Sequence, residues 1–229
     1  MTPTFVTKLN KHMTKLTKAF IAIVAITGTM ILFTQNNAMS EEQKKPAAMP
    51  VVAEGHQQIT LGAGCFWCVE AIFNRLDGVI SATSGYMGGT NPEPSYDDVI
   101  YKNTGEVEVV HVVYDPEKIS TETILAWFWK AHDPTQADGQ GADRGPQYLS
   151  TIFCENEKQA KQAIASKAEA QKEFDKPIAT NIKMAKKFHP GEIYHQNFYR
   201  LNKNNPYCRA VITPKMNKLD LEDKPDTGK

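Results

Sequence analysis

The stretch 106–114 (EVEVVHVVY) constrains the fold of this chain more than any other segment. Its alternation predicts a strand with valine on both faces, at 107, 109 and 113 on one side and at 110 and 112 on the other. Further strand patterns occur at 57–61, 79–86, 148–153 and 182–188, and helical patterns occur at 66–76, 120–131, 155–174 and 193–201. Mixed strands and helices in this order predict an α+β domain built in layers.

The composition changes on both sides of this region, which we place at 56–213. Residues 41–55 are small, polar and proline-containing, which predicts a flexible linker. Residues 214–229 form a charged C-terminal tail that we expect to be frayed.

The first forty residues contain four lysines, no acid, and an apolar run from Ala19 to Phe33. A basic stretch followed by apolar and then small residues is typical of a secretory signal peptide. We predict that 1–40 is this signal, cleaved after Ser40, and that the protein is periplasmic or secreted. An uncleaved membrane anchor is the alternative, although a spanning helix needs roughly 20 apolar residues.

Removal of 1–40 changes the charge balance of the chain. It takes away four of the 26 basic residues and none of the 26 acidic ones, which leaves 22 against 26 and a formal charge of −4. This balance argues against nucleic acid or an anionic membrane surface as a partner. In an oxidising compartment the four cysteines are also candidates for structural disulfides, at positions 65, 68, 154 and 208.

The segment 61–70 (LGAGCFWCVE) carries the clearest chemical signal. Glycines before a helix leave the first helical N–H groups free, and these groups and the helix dipole favour negative charge at Cys65. Helix N-termini lower the pKa of a thiol from about 8.5 by about one to several units. We therefore expect Cys65 to be a nucleophilic thiolate, with Phe66 and Trp67 lining a pocket beside it.

Cys68 lies three residues after Cys65, which places both sulfurs on one face of a helix. This spacing is typical of a dithiol redox pair and also of zinc sites. A zinc site would need two further ligands from among His189, His195 and Cys208. No second closely spaced pair of ligands accompanies Cys65 and Cys68, so we predict no metal.

Glu108 lies in the valine-rich strand, on the face of Val110 and Val112. Burial raises the pKa of a carboxyl group, which suits a general acid near neutrality. A solvent-facing glutamate on an edge strand is the alternative. Tyr96 and Tyr148 follow segments rich in glycine and proline, so their hydroxyls can reach a site between loops. A tyrosine is more often an amphipathic core residue, however, so this pattern alone nominates neither.

Six motifs resemble those of the A-type peptide methionine sulfoxide reductases, in that family's order and with roughly its spacing. They cover about 58–213 and are GCFWCVE at 64–70, GYMGG at 85–89, TGEVEVV at 104–110, HDPTQ at 132–136, DRGPQY at 143–148 and YHQNFY at 194–199. The resemblance implies a ferredoxin-like, two-layer α/β sandwich with a central mixed sheet. It also implies thiol-dependent reduction of methionine (S)-sulfoxide, free or in proteins, without a cofactor.

The resemblance assigns a role to each matching residue. It implies that Cys65 is the nucleophile, that Phe66 and Trp67 enclose the substrate methyl group, and that Glu108 protonates the sulfoxide oxygen. The remaining matches are two hydroxyls that hydrogen-bond this oxygen, a loop carboxylate that helps to hold the substrate backbone, and a supporting histidine: Tyr96, Tyr148, Asp143 and His195.

The chain departs from the commonest family pattern in its other cysteines. Many members have glycine where Cys68 stands and carry resolving cysteines in a glycine-rich C-terminal tail. Here Cys208 lies in NNPYCRAV, and we predict that it resolves the Cys65 sulfenic acid because a flexible terminal segment can reach the site. Cys68 is the alternative, and Cys154 is expected to pack in the core.

The family resemblance also implies how the protein is used. We expect a monomer that repairs oxidised exported proteins and is recycled by a thioredoxin-like donor. A general thiol-disulfide oxidoreductase and a disulfide-stapled binding module are the competing interpretations.

Overall fold

A six-stranded mixed sheet forms one layer of the protein, whose computed structural model describes residues 39–226. In chain order the strands are β1 (Gln57–Gly62), β2 (Val79–Met87), β3 (Val107–Tyr114), a small separate hairpin of β4 (Gly139–Gln140) and β5 (Asp143–Arg144), β6 (Thr151–Cys154), β7 (Asn181–Met184) and β8 (His189–Pro190). The sheet order is β7-β6-β1-β3-β2-β8, and every neighbouring pair is antiparallel except β6 and β7. The predicted mixed sheet is therefore confirmed.

The helices form the second layer. They are α1 (Phe66–Phe73), α2 (Tyr96–Tyr101), α3 (Thr121–Ala131), α4 (Glu157–Ala170), α5 (Phe198–Leu201) and α6 (Thr213–Lys218). Short 3₁₀ turns cover Pro146–Tyr148, Gln171–Glu173 and Ile193–His195, and a π-helical turn covers Cys208–Ile212.

The valines of β3 separate two apolar clusters. Val110 and Val112 belong to the larger cluster, with the buried faces of α1 and α3. Val107 and Val109 belong to a smaller cluster on the opposite face, with Phe188. Each fully buried valine stabilises the fold by roughly 1.5–3 kcal/mol. The helices cover one face of the sheet, which confirms the α+β layered architecture.

Several element boundaries differ from the sequence pattern. The strand predicted from Tyr148 begins only at Thr151, because Pro146–Tyr148 form a 3₁₀ turn. α2 was not predicted, and it is short and begins at a capping box formed by Ser95 and Asp98. The long loop 133–147 contains the β4–β5 hairpin.

Part of the predicted flexible linker is fixed to the domain. The Ala47 N–H donates to the Gly191 carbonyl at 2.9 Å, and the Ile193 N–H donates to the Lys45 carbonyl at 2.9 Å. Pro46 also forms an isolated bridge with Glu192. These contacts involve main-chain atoms, so the small polar side chains that suggested flexibility do not oppose them.

The C-terminal tail is not frayed over its described part, so the predicted domain boundary at residue 213 was too early. Met216 and Leu221 are fully buried. Arg75, which is itself buried, forms an ion pair with Asp226 at 3.0 Å. Apolar residues spaced between the charges of 214–226 dock this segment, and composition alone obscured them.

The predicted signal 1–40 lies outside the described residues, apart from Met39 and Ser40. Within residues 39–226, no helix has both the length and the apolar character that a bilayer span requires.

Replacement of Leu221 by alanine tests the docking of the C-terminal segment. The substitution leaves a cavity in the core, so the free energy of unfolding should fall by about 2–5 kcal/mol in urea denaturation. Leu201, which is 71% exposed, provides the control, because its replacement by alanine should change stability by less than about 0.5 kcal/mol. Equal small losses in the two variants would contradict the docked arrangement.

Candidate active site

Cys65 stands immediately before α1, at its N-cap position. The preceding Gly64 has φ of +87°, and a Cβ there would lie 2.6 Å from the Cβ of Gln140. Only glycine satisfies both conditions without strain. The predicted glycine turn into a helix that carries the cysteine is confirmed.

Glu108 is buried on the helix-covered face of β3, between β1 and β2, so the edge-strand alternative is wrong. The backbone N–H of Phe66 donates to Glu108 Oε2 at 3.1 Å. Burial raises the pKa of Glu108 to about 8, and this hydrogen bond only partly opposes the effect. Glu108 is therefore mainly protonated at neutral pH, as a general acid requires.

The predicted low pKa of Cys65 is wrong. Burial raises its pKa well above the ordinary value, and the proximity of Cys68 and Glu108 adds to the increase. A helix N-terminus contributes only about 0.3–1 kcal/mol, and the first N–H of α1 already serves Glu108. Cys65 rests as a thiol and not as a thiolate.

Cys68 is the activated partner of the pair. A hydrogen bond from the Cys65 thiol lowers the pKa of Cys68 and outweighs its burial, and the charge of Lys215 acts in the same direction. Cys68 Sγ also lies 3.9 Å from Tyr207 Oη.

Cys208 does not lie in a flexible terminal segment, which removes the reason for predicting it as the resolving cysteine. It is fully buried in the π-helical turn, and burial and Cys68 raise its pKa. Cys154 is fully buried in β6 as predicted, and burial raises its pKa to about 11. All four cysteines are free thiols.

Aromatic rings surround the start of α1. Trp67 stacks on Phe198 with centroids 3.6 Å apart and an interplanar angle of 7°. Phe66 and Tyr96 each contact the His195 ring, at 4.8 and 4.6 Å between centroids. These rings form the apolar wall that the sequence predicted from Phe66 and Trp67.

His195 lies behind this wall and is fully buried. Its Nδ1 accepts from the Trp67 indole N–H at 3.1 Å, so its proton is on Nε2, 3.8 Å from Glu192 Oε2. Burial lowers the pKa of His195 to about 3, which keeps the ring neutral. His195 therefore orients Trp67, in agreement with a supporting role.

Glu192 is a positioning residue that the sequence analysis missed. Its carboxylate accepts from the Tyr86 hydroxyl and from the Tyr96 backbone N–H, both at 2.8 Å. These bonds hold the start of α2, where Tyr96 lies. No local pattern marks Glu192, because its partners are about a hundred positions away in the chain.

Tyr96 and Tyr148 face the same region as Glu108 and Cys65. Burial raises the pKa of both hydroxyls, and the proximity of Glu108 and Cys65 acts in the same direction. Both hydroxyls therefore remain protonated and can donate hydrogen bonds to a substrate oxygen. The structure therefore brings both tyrosines near Glu108 and Cys65, and their role in binding the sulfoxide oxygen stays a prediction.

Asp143 lies on β5 and accepts a hydrogen bond from the Tyr207 hydroxyl at 2.7 Å. Tyr207 packs edge-on against Trp67, with centroids 5.9 Å apart. The sequence analysis missed Tyr207, although it directly precedes Cys208.

Within residues 39–226, no three His, Cys, Asp or Glu side chains are arranged to hold a metal ion.

A family model described as peptide methionine sulfoxide reductase matches residues 57–227. The chain belongs to this family. It is 48% identical over 166 residues to the peptide methionine sulfoxide reductase MsrA of Campylobacter jejuni, which covers 72% of this chain and 99% of the relative. It is 45% identical over 166 residues to MsrA 1 of Rhodopirellula baltica, which covers 72% of this chain and 86% of the relative.

Solved structures of the peptide methionine sulfoxide reductase family share the fold. The reduced form of Mxr1 from Saccharomyces cerevisiae matches with a TM-score of 0.66 and 31% identity, over 69% of this chain and 92% of that one. Methionine sulfoxide reductase A of Corynebacterium diphtheriae matches with a TM-score of 0.61 and 27% identity, over 72% of this chain and 90% of that one. As a member of this family, this chain is an oxidoreductase that acts on methionine sulfoxide.

The raised pKa of Glu108 predicts a pH-dependent stability difference between the wild type and Glu108→Gln. The unfolded chain releases this proton near the ordinary value of 4.5, whereas the folded protein retains it up to about 8. The wild type therefore loses stability as pH rises from 4.5 to 8, and the variant lacks this loss. The free energy of unfolding of Glu108→Gln, relative to the wild type, should rise by about 1.4 kcal/mol per pH unit in this window.

Chemical denaturation at a series of pH values measures this difference. Glu117→Gln, at an exposed position, controls for the loss of a carboxyl group elsewhere. A Glu108→Gln curve parallel to that of the wild type between pH 4.5 and 8 would contradict a buried, protonated Glu108.

Proposed function

We propose that this protein reduces methionine (S)-sulfoxide, free or in proteins, through a Cys65 sulfenic acid that Cys68 converts to a disulfide. The observation that carries this proposal is the bond between Glu108 and the backbone of Phe66. It places the protonated carboxyl group of Glu108 beside Phe66, the residue that directly follows the nucleophile Cys65.

The first step transfers oxygen from the sulfoxide to Cys65. As the Cys65 sulfur attacks, Glu108 donates its proton to the sulfoxide oxygen, which stabilises the negative charge that develops there. The thiol proton of Cys65 returns to the Glu108 carboxylate. The products are a thioether and a Cys65 sulfenic acid, so one sulfur is reduced by two electrons and the other is oxidised by two.

The aromatic wall and the hydroxyls support selection of one epimer. Phe66 and Trp67 offer an apolar surface to the substrate methyl group, while Tyr96 and Tyr148 donate to the oxygen. A methyl group, an oxygen and the attacking sulfur with fixed places around one sulfur atom define a single handedness. Family membership supports the S epimer.

The second step joins Cys65 and Cys68. The Cys68 sulfur attacks the sulfenic sulfur, the disulfide bond forms, and the oxygen leaves as water. The hydrogen bond between the two thiols and the lowered pKa of Cys68 support this pairing over Cys208. A thioredoxin-like dithiol then reduces the disulfide and restores both thiols.

We also propose that the enzyme is exported and acts as a monomer on oxidised exported proteins. The basic, apolar and small-residue order of 1–40 supports export. The proposed chemistry is carried by residues of a single chain and requires no second copy. An uncleaved signal would instead anchor the protein to a membrane.

Three cysteine variants test the two steps. Cys65→Ser should release no methionine, Cys68→Ser should release one equivalent and then recycle slowly, and Cys208→Ser should sustain turnover. Epimer-resolved chromatography of the products, with thioredoxin as the reductant, measures all three. Stalled recycling in Cys208→Ser beside normal turnover in Cys68→Ser would assign resolution to Cys208.

The mass of the exported protein tests the signal. Expression of the full chain in a bacterial host should yield a periplasmic form that begins at Glu41, as determined by intact-mass measurement. A membrane-bound form that retains Met1 would favour the anchor.

A further inference from the structure

The Tyr207 hydroxyl connects Cys68 to Asp143. Tyr207 Oη lies 2.7 Å from Asp143 Oδ2 and 3.9 Å from Cys68 Sγ. A tyrosine hydroxyl has one proton, and an ionised carboxylate can only accept. The hydroxyl therefore donates to Asp143 and presents a lone pair to Cys68, so the thiol donates to it. The three groups form a chain of hydrogen bonds with one direction.

The middle member of this chain is fixed in place. The Tyr207 ring packs edge-on against Trp67, and its backbone N–H donates to Asn205 Oδ1 at 2.9 Å. Asp143 lies on the short β4–β5 hairpin and is only half-buried. The chain thus runs from a buried thiol to a carboxylate that is accessible to water.

We propose that Tyr207 is a catalytic residue of disulfide formation, which passes the Cys68 proton to Asp143 as Cys68 attacks the sulfenic acid. This inference rests on the proposed function, because it needs the sulfenic acid on Cys65. After the transfer, Asp143 is protonated and the new Tyr207 O–H points at the Cys68 sulfur. Asp143 then releases its proton to water.

The step balances with Glu108 as the acid. The S–S bond forms, the S–O bond of the sulfenic acid breaks, and Glu108 protonates the departing oxygen to give water. One proton therefore leaves through Tyr207 and Asp143 to water while another arrives from Glu108, and Glu108 then takes a proton back from water. Glu108, the acid, acts on the oxygen bound to Cys65, and Tyr207 takes the proton from the Cys68 sulfur. Neither group must therefore serve both roles in one step.

Other titratable groups also face Cys68. They are Cys65 before α1, Glu108 on β3, Cys208 beside Tyr207, and Lys215 on α6. Burial keeps Glu108 protonated, so it acts as the acid of this step and not as the base. Cys65 is the reacting partner, and Lys215 cannot accept a proton while it is charged. Burial and Cys68 raise the pKa of Cys208, so Cys208 remains a thiol. Of the neighbours acting on Cys68, Asp143 is the base that is connected to it through a hydrogen bond.

Single turnover of Tyr207→Phe without reductant tests the relay. The substrate is the S-sulfoxide of N-acetylmethionine at saturating concentration. Release of N-acetylmethionine (methionine release) and loss of free thiols are followed separately. Methionine release and the loss of the first thiol, that of Cys65, should keep the wild-type rate, whereas loss of the second thiol, that of Cys68, should slow by about 10²-fold, within the usual range for proton-transfer catalysis. Dimedone should then label Cys65 sulfenic acid, which the wild type consumes too fast to accumulate.

Two further variants separate proton transfer from structure. Asp143→Asn retains an oxygen that accepts from Tyr207 but cannot take a proton, so it should also accumulate sulfenic acid. Because Asp143 is expected to hold the substrate backbone as well, loss of the second thiol in this variant is compared with its own rate of methionine release. Tyr101→Phe makes the same chemical change at an exposed tyrosine and should match the wild type. Below about pH 8, where Glu108 still holds its proton, a rise in pH should restore part of the rate in Tyr207→Phe, because a larger fraction of Cys68 then ionises without the relay.

The outcomes distinguish the relay from the function on which it rests. Loss of the second thiol at the wild-type rate in both Tyr207→Phe and Asp143→Asn would overturn the relay and leave the reductase function intact. Slowed methionine release in Tyr207→Phe, equal to the slowing of thiol loss, would also overturn it. No methionine release by the wild type would overturn the proposed function itself.

Discussion

The hydrogen bond from the Phe66 backbone N–H to Glu108 is the contact on which the site depends. It joins the first residue of α1 to the middle strand of the sheet, and so fixes the nucleophile relative to the acid. Valines bury both faces of this strand, so the Glu108 carboxyl group is removed from water. The same burial that stabilises the fold therefore keeps the acid protonated.

Burial also raises the pKa of the nucleophile Cys65, so Cys65 and Glu108 are both neutral at rest. Susceptibility of a cysteine to oxidation follows its thiolate character and its exposure, and Cys65 is both protonated and only 9% exposed. The arrangement protects the sulfur from indiscriminate oxidants. Reactivity then depends on a substrate whose oxygen can take the Glu108 proton, which couples activation of the thiol to recognition of the sulfoxide.

The sequence predicted those features that local patterns encode. The valine alternation predicted β3 and the buried face of Glu108, and the glycines predicted the turn before α1. Features that depend on distant contacts were missed, such as Glu192, which bonds to residues about a hundred positions away. The pKa of Cys65 was misjudged because the helix end is visible in the sequence, whereas the burial that outweighs it is not. The docked C-terminal segment was missed because charges surround its few apolar residues.

The contact between Gly64 and Gln140 has an evolutionary consequence. Gln140 belongs to the hairpin that bears Asp143, and its side chain also bonds the backbone of Asp133 at both the N–H and the carbonyl. Any side chain at position 64 would collide with the Gln140 side chain as well as strain its own backbone. Natural variation can therefore alter the hairpin sequence beside the site, but it has almost no freedom at the residue that precedes the reactive sulfur.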